Sequence, residues 1–315
     1  MSAASLYPAG LVTPHSATLI RPRFSLTSDI VSFRKCCRQY GYFGQDGFVP
    51  AQAVQVYFGQ MIHQVLDRCH RHYSGLFAGI PAGTFPTDAD IDNYFTEVDR
   101  AMRAHGIRPA SPIVAGQARQ VLKTFNSIEG PVLYPKVLDT EYRLESERSA
   151  YILRGVVDVL ASDSAGDTEI WDYKGTDMPP LSSSSLRDYE WQMSVYAQLY
   201  KVKAGHYPKR AVLYFLNELK ERAGMPPITT RPMSAVHVVD FFRAGLESDG
   251  TPTLVKQGLD AFDLTATDIV ACKATRIWNA PTGGDVPEDK TCDICDIRWN
   301  CPSHPPGKYR IRMPV

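Results

Sequence analysis

The chain has 315 residues, of which 44% are hydrophobic and 22% are charged, and this composition can bury a full core. It excludes the disordered and low-complexity classes for most of the chain. The longest apolar runs, such as residues 211–216, are far too short to cross a bilayer, and the first ten residues lack the charged and apolar blocks of a signal peptide. We therefore expect a cytoplasmic protein without a membrane segment. The formal net charge is zero, so any basic surface for nucleic acid must come from local clustering.

The N-terminal part of the chain predicts a tail followed by helices. Residues 1–24 are rich in Pro, Ser and Thr and predict a flexible tail. Ser28 and Asp29 are typical caps for the helix that follows. Between residues 54 and 72 the apolar side chains recur at helical spacing, which predicts a long helix that carries His63.

Two further helices are predicted at about 91–103 and 113–125. They lie in a stretch from residue 74 to 127 that contains no chemical motif. We interpret this stretch as a helical insertion in an N-terminal region that spans residues 25–130.

From residue 131 to 240 the pattern changes to strands rich in branched and aromatic residues. The predicted elements are strands at about 141–144, 151–160, 169–174 and 211–217, and a helix at about 186–202. The order of hairpin, crossover helix and strand favours an α/β fold with a mixed central sheet flanked by helices. A helix at about 234–247 is predicted to lead into the C-terminal segment, residues 241–315, which carries three cysteines.

The predicted hairpin brings two acids and a lysine together. Asp158 lies near the end of one strand, and Asp172 and Lys174 follow on the next. Because side chains two residues apart share a face of a strand, Asp172 and Lys174 point the same way, while Tyr173 points to the other side. Two neighbouring carboxylates repel unless a cation joins them, and their oxygens suit Mg²⁺ or Mn²⁺. The pattern is typical of metal-assisted hydrolysis, with the lysine orienting water or stabilising the phosphorus centre.

Three more residues are candidates for the same site. Gln192 and Tyr196 lie four residues apart on the predicted helix, so they share a face and can both offer hydrogen bonds to a phosphate. Glu141 leaves two alternatives open: it is a further acid of the site on a neighbouring strand, or a plain strand residue.

These segments resemble the RecB family of PD-(D/E)XK nucleases. The matching segments are GQMIH with His63, RGVVDVL with Asp158, EIWDYKG with Asp172 and Lys174, and WQMSVY with Gln192 and Tyr196. The resemblance implies a restriction-endonuclease-like fold with the nuclease core in residues 131–240. It also implies a deoxyribonuclease, with single-stranded DNA as the favoured substrate and exonuclease action favoured over endonuclease action.

The roles of the site residues are likewise implied by the resemblance. The metal ion would be held by His63, Asp158, Asp172 and the backbone carbonyl of Tyr173. Lys174 would serve the hydrolytic step. The residues expected near the DNA are Gln192 and Tyr196.

The cysteines predict a second metal site. The chain has seven, an odd number, at positions 36, 37, 69, 272, 292, 295 and 301. Without an export signal, a reduced metal site fits this pattern better than disulfides. Three thiolates in one segment require a fourth ligand from elsewhere. Cys69 and Cys272 stand in segments without partners and are interpreted as buried apolar residues.

The identity of the fourth ligand is implied by the resemblance. The segment FRKCCRQYGYF is similar to a Cys-Pro-Arg pattern of the family, which places Cys36 at the ligand position, with Cys37 as the alternative. Together with Cys292, Cys295 and Cys301, this arrangement resembles the iron-sulfur subgroup that includes AddB-like nucleases, CRISPR-associated RecB-like exonucleases and eukaryotic exonuclease V. A [4Fe-4S] cluster is therefore implied, while four thiolates can also hold Zn²⁺.

Basic residues cluster beside the cysteines at both ends of the chain. Arg34, Lys35 and Arg38 flank the first cysteine pair, and we predict that they contact DNA. No GxxxxGK[ST] run is found, so unwinding would need a partner such as a helicase or another repair or CRISPR protein. The alternative function is a catalytically inactive, nuclease-fold subunit that binds DNA or acts as a scaffold; intact acids and an intact lysine argue against it.

Overall fold

A mixed sheet of six strands, flanked by helices on both faces, forms the centre of the protein in a computed structural model. The structure describes residues 21–47, 54–221, 224–282, 291–292 and 295–303. This architecture confirms the predicted α/β class with a mixed central sheet. None of the helices in these ranges combines the length and the hydropathy that a membrane span requires.

The six strands are β1 Arg23–Ser25, β2 Val137–Glu147, β3 Ile152–Ser162, β4 Thr168–Lys174, β5 Arg210–Phe215 and β6 Val236–Asp240. β2, β3 and β4 form an antiparallel meander. β5 follows β4 in parallel after a crossover helix, and β6 closes the far edge antiparallel to β5. The short β1 pairs in parallel with the beginning of β3.

The α-helices are α1 Ser32–Lys35, α2 Cys37–Tyr40, α3 Val54–Tyr73, α4 Asp88–Ala104, α5 Pro112–Ile128, α6 Gly130–Leu133, α7 Ser184–Ala204 and α8 Thr253–Thr275. Their limits follow local signals. Thr87 and Asp90 form a reciprocal capping box at the start of α4, which satisfies two backbone N–H groups that the helix leaves unpaired. Ser183 caps α7, and Gly205 ends it in the left-handed conformation at φ 85°, which glycine adopts without steric cost.

Side-chain alternation divides the interior into two cores, one on each face of the sheet. On β5, Leu213 and Phe215 pack in the first core, against α7, α8 and the N-terminal segment, while Val212 and Tyr214 pack in the second, against α3, α4 and α5. Because both faces are covered, β5 is apolar from Ala211 to Phe215, as expected for a parallel strand between two helical layers.

The stretch interpreted as an insertion supplies part of this second core. α4 and α5 bury Phe95, Val98, Val121 and Phe125 in the same cluster as residues of α3 and the sheet. The two predicted helices are confirmed. They complete a helical layer rather than extending away from it.

One predicted helix is wrong. The helix expected at 234–247 is the strand β6 over residues 236–240, and the next helix begins only at Thr253. The strand contains three β-branched residues that pair in register with β5: Val236, Val238 and Val239. Pairing with an open sheet edge therefore outweighs the predicted tendency to form a helix.

The segment predicted as a tail also differs at its end. Residues 1–20 lie outside the described residues, but Arg23–Ser25 form β1. Ser25, not Ser28, caps the first helical turn, which is π-helical. The helix predicted after it breaks at Cys36, where the backbone is extended at φ −164°. The division into regions 25–130, 131–240 and 241–315 stays a prediction.

Candidate active site

A gap beside the central strand β3 creates the site. β2 pairs along nearly the whole of one edge of β3. The other edge is shared: β1 pairs with residues 152–154 and β4 with residues 159–162. Residues 155–158 therefore lack a neighbouring strand on that side, and a cleft of about 900 Å³ opens there.

Asp158 lies where β3 and β4 part. Val157 packs in the first core and Val159 in the second, so the alternation of β3 is interrupted at Asp158. Its Oδ2 accepts a hydrogen bond from the backbone N–H of Tyr173 at 2.7 Å, which takes the place of the missing strand pairing. The carboxylate is thereby fixed at the floor of the cleft.

Asp172 and Lys174 share one face of β4, as predicted. The Lys174 Nζ lies 2.7 Å from Asp172 Oδ2 and donates to Gln192 Oε1 at 2.9 Å. It also sits 4.5 Å above the centre of the Tyr189 ring, a cation–π contact. Burial disfavours the ammonium, but Asp172 outweighs this effect and raises the pKa of Lys174, so the lysine stays charged.

The Asp172 carboxylate keeps capacity for a further ligand. It is only 4% exposed, and the ion pair with Lys174 lacks the directional geometry of a hydrogen bond. Burial, together with the nearby Asp158 carboxylate, raises the pKa of Asp172 above its ordinary value. A buried acid in this position is stabilised when a cation joins it.

His63 approaches the two acids from α3. Its Nδ1 lies 3.3 Å from Asp158 Oδ1. Burial alone would lower the pKa of His63, but the Asp158 carboxylate outweighs it and raises the pKa to about 9. Gly175 allows α3 to come this close, because a Cβ on it would lie 3.3 Å from the Cα of Gly59.

The structure brings Glu141 into the same group, and its role as a further acid of the site stays a prediction. Its carboxylate and ligand atoms of His63 and Asp158 all lie within 4.8 Å of one another. The neighbouring pairs of the β2–β3 register place Glu141 opposite Asp158. Glu141 also has a φ of 50°, which costs a non-glycine residue backbone energy and is most often found at functional sites.

Gln192 and Tyr196 project from one face of α7 toward β3 and β4. They line the cleft but are only 1% and 2% exposed. Gln192 holds the Lys174 ammonium. The Tyr196 ring lies against Gly155, where a Cβ would come within 2.5 Å of its Cε1, so this position of β3 needs a glycine.

Tyr173 points to the opposite face, as alternation predicts. Its side chain is in the second core, and its hydroxyl lies 2.9 Å from His70 Nε2. The role predicted for its backbone carbonyl stays a prediction.

Several polar residues on the walls of the cleft were not predicted from the sequence. Thr27 comes from the segment after β1, and Gln60, Gln64 and Arg68 repeat every four residues along α3. The spacing on α3 was a signal, because it places polar side chains on the face that carries His63. Nothing in the sequence around Thr27 indicated a site.

Four cysteines meet at a second, smaller cavity. Cys36, Cys292, Cys295 and Cys301 line it together with Gln39. The Gln39 backbone N–H donates to Cys36 Sγ at 3.5 Å. Burial is the main cause that raises the pKa of the Cys36 thiol.

The other cysteines lie elsewhere. Cys37, the alternative fourth ligand, points away from that cavity and donates to the backbone oxygen of Asn279 at 2.8 Å. Cys69 is 1% exposed in the second core, and Cys272 packs against the first. Of the two candidates in the N-terminal segment, the structure therefore places Cys36 beside the C-terminal three.

The basic residues near Cys36 have different surroundings. Two N–H groups of Arg34 donate to Asp188 Oδ1 at 3.1 and 2.8 Å, and its guanidinium stacks on Trp191. Arg34 thus joins helices within the protein, and the DNA contact predicted for it stays a prediction. Lys35 is exposed, and Arg38 donates to the backbone oxygen of Asn300 at 3.1 Å.

Comparison with known proteins identifies the family. Residues 24–302 match the family model of the PD-(D/E)XK nuclease superfamily, so the chain belongs to this superfamily. A search of curated proteins gave no significant match. One similar solved structure is described as a "putative exonuclease" from Eubacterium rectale, with 11% identity, coverage of 93% of this chain and 90% of that one, and a TM-score of 0.49. Another, SSO0001, has 14% identity, coverage of 87% and 96%, and a TM-score of 0.30.

The assignment to a nuclease family depends on the family match. Nucleases of this superfamily act with divalent metal ions, and the group of His63, Glu141 and Asp158 is a possible metal site in this chain. The four segments that carry the sequence resemblance meet at the cleft.

Proposed function

We propose that the protein is a deoxyribonuclease that hydrolyses phosphodiester bonds with Mg²⁺ or Mn²⁺. The observation that carries this proposal is a lysine, Lys174, whose side chain is 13% exposed and contacts Asp172 at the floor of an open cleft, beside Asp158 and His63. Perturbed ionisable groups that share a cleft are typical of functional sites, and Asp158, Asp172 and Lys174 all line this one.

The donor set fits a divalent cation. Asp158, Asp172 and Glu141 offer carboxylate oxygens, the ligands that Mg²⁺ and Mn²⁺ prefer, and His63 offers an imidazole nitrogen. The backbone carbonyl of Tyr173 is our further proposed ligand. A cation held there would lower the pKa of a bound water and shield the charge of the phosphate.

The chain's own residues prepare the site for this chemistry. Asp158 is held by the Tyr173 backbone, and Lys174 is held by Asp172, Gln192 and the Tyr189 ring. Because these contacts fix the ammonium before substrate arrives, it can stabilise negative charge that develops on the phosphate at little reorganisation cost.

Single-stranded DNA as the favoured substrate, and exonuclease action, are proposed on the resemblance of the motifs to RecB-like nucleases. Exposed Lys35 is a candidate for phosphate contact, as is Arg38 beside the cysteines. A helicase, or another repair or CRISPR protein, is the proposed partner for unwinding duplex ends.

We further propose that Cys36, Cys292, Cys295 and Cys301 hold a [4Fe-4S] cluster, with Zn²⁺ as the alternative. The convergence of the four residues on one cavity supports a shared ligand, and the backbone N–H group of Gln39 already donates to a sulfur. A bound group would join segments more than 250 residues apart and so stabilise the fold as a whole. Iron, acid-labile sulfide and zinc, measured per chain after anaerobic purification, distinguish the two metals.

The nuclease proposal is tested with end-labelled single-stranded and duplex DNA and Mn²⁺. The wild type is compared with Lys174→Ala and with Lys209→Ala, whose ammonium pairs with Asp163 and Asp167 on a surface turn. We expect cleavage by the wild type and by Lys209→Ala, and none by Lys174→Ala. The product ladder also shows whether cleavage proceeds from an end. If all three proteins bind DNA and none cuts it, the scaffold function replaces the nuclease.

A further inference from the structure

Thr27 occupies the wall of the cleft beside Gln192 and Tyr196. Its Oγ1 lies 3.5 Å from Gln192 Nε2 and 3.4 Å from the Tyr196 hydroxyl. Gln192 in turn accepts from the Lys174 ammonium, so a chain of polar contacts runs from Thr27 to Lys174. We propose that the Thr27 hydroxyl binds a phosphate of the DNA backbone next to the bond that is cut, an inference that rests on the proposed nuclease function.

Exposure distinguishes Thr27 from the two residues behind it. Gln192 and Tyr196 are almost completely buried, whereas Thr27 is exposed and lines the cleft. A backbone phosphate that enters the cleft therefore meets the hydroxyl of Thr27 before it meets either side chain of α7. Gln192 and Tyr196 orient this hydroxyl and the Lys174 ammonium, which assigns them a positioning role.

The hydroxyl of Thr27 has the capacity for such a contact. A hydroxyl carries one donor and two acceptor positions. Both of its contacts are near the upper limit for a hydrogen bond, at 3.4 and 3.5 Å, and in both of them it can serve as the acceptor. The O–H group of Thr27 can then donate to a phosphate oxygen. Hydrogen bonds to charged groups are about twice as strong as those between neutral groups.

The backbone around Thr27 is fixed by local hydrogen bonds. Asp29 accepts from the Ser25 backbone N–H at 2.7 Å and from the Tyr40 hydroxyl at 2.8 Å. Ser32 donates its hydroxyl to the Thr27 backbone oxygen at 3.1 Å. β1, directly before this turn, pairs with β3 at one end of the gap that forms the cleft. The position of Thr27 is thus determined before substrate binds.

The same segment leads into the cysteine site. Eight residues separate Thr27 from Cys36, and Tyr40, which donates a hydrogen bond to Asp29, follows Cys36 on α2. The phosphate contact and the N-terminal cysteine ligand therefore belong to one short segment of chain.

The test measures binding to single-stranded oligonucleotides by fluorescence anisotropy with Ca²⁺, a hard cation that takes oxygen ligands. Each oligonucleotide carries one neutral methylphosphonate at a different position. Thr27→Val removes the hydroxyl at nearly constant shape, and Thr27→Ser keeps it. Ser28→Ala is the matched control, because it removes an exposed neighbouring hydroxyl that does not line the cleft.

We expect Thr27→Val to weaken binding by about 10-fold, the lower range for a hydrogen bond to a charged group, and Thr27→Ser and Ser28→Ala to bind as the wild type. At one phosphate, the methylphosphonate should weaken wild-type binding but not binding by Thr27→Val, since the contact is already lost. The phosphate contact is refuted if the affinity lost through Thr27→Val and the affinity lost through the methylphosphonate add at every position. It is also refuted if Thr27→Val binds DNA as tightly as the wild type. Cleavage of DNA by the wild type with Mn²⁺ is measured separately. Absence of cleavage would refute the proposed nuclease function but not the contact between Thr27 and a phosphate.

Discussion

Replacement of Gly155 by alanine tests the packing that positions Tyr196 in the active site. The added Cβ would lie 2.5 Å from Cε1 and 3.1 Å from Cδ1 of the Tyr196 ring. That ring is 2% exposed in the first core, so it cannot simply move into solvent. Overpacking of this kind costs about 1–3 kcal/mol. Because alanine restricts the unfolded chain more than glycine does, about 0.4–1 kcal/mol is regained. From the middle of the two ranges we expect a net loss of about 1 kcal/mol.

The free energy of unfolding in denaturant, together with the rate of DNA cleavage, measures both consequences. Gly116→Ala is the matched control, because its new Cβ on α5 would meet no atom within 4 Å and should leave stability equal or higher. In Gly155→Ala/Tyr196→Leu the clash is relieved, so the double variant should lose less than the sum of the single losses, by about 1 kcal/mol. Strict additivity, or a Gly155→Ala protein of wild-type stability, would refute the packing argument.

Two further predictions concern the cysteines and a buried histidine. Cys36→Ser should lose bound iron or zinc and unfold at a lower temperature. Cys37→Ser should keep the metal, because the Cys37 thiol contacts a backbone oxygen outside the cavity. Equal metal content in the two variants would contradict the assignment of Cys36 as the ligand. Burial lowers the pKa of His70 to about 3, so the unfolded chain binds a proton there below pH 6.5 while the folded chain does not, and stability is lost as pH falls. Between pH 7 and 5 the free energy of unfolding should fall by about 2 kcal/mol more in the wild type than in His70→Gln, as measured by unfolding in denaturant. If the two proteins show the same dependence on pH, the prediction is contradicted.

The sheet and the acids were predictable because their signals are local. Successive side chains of a strand point to opposite faces, and this geometry alone placed Asp172 and Lys174 on one face of β4, where the structure finds them 2.7 Å apart. The helix that carries Gln192 was also predicted, and it lies within two residues of the predicted limits at both ends.

The remaining features depend on contacts between distant segments. Val236–Asp240 becomes a strand only because the edge of β5 is open to it. Thr27 reaches the cleft because β1 pairs with one end of β3, a long-range register that no local pattern encodes. Glu141 was left undecided for the same reason, since its position opposite Asp158 follows from the pairing of β2 with β3.

Hydrolysis of an end-labelled single-stranded oligonucleotide by wild type and Asp172→Asn, across a titration of Mn²⁺, tests the central claim most directly. Asp260→Asn, an exposed acid paired with Lys256 on α8, is the matched control. We predict that chelation abolishes wild-type cleavage, that Mn²⁺ restores it, and that Asp172→Asn is slower by about 1,000-fold, because several kcal/mol of charge stabilisation are lost with the metal ligand. Cleavage by Asp172→Asn at the wild-type rate, or wild-type cleavage that persists without a divalent ion, would contradict the assignment of the active site.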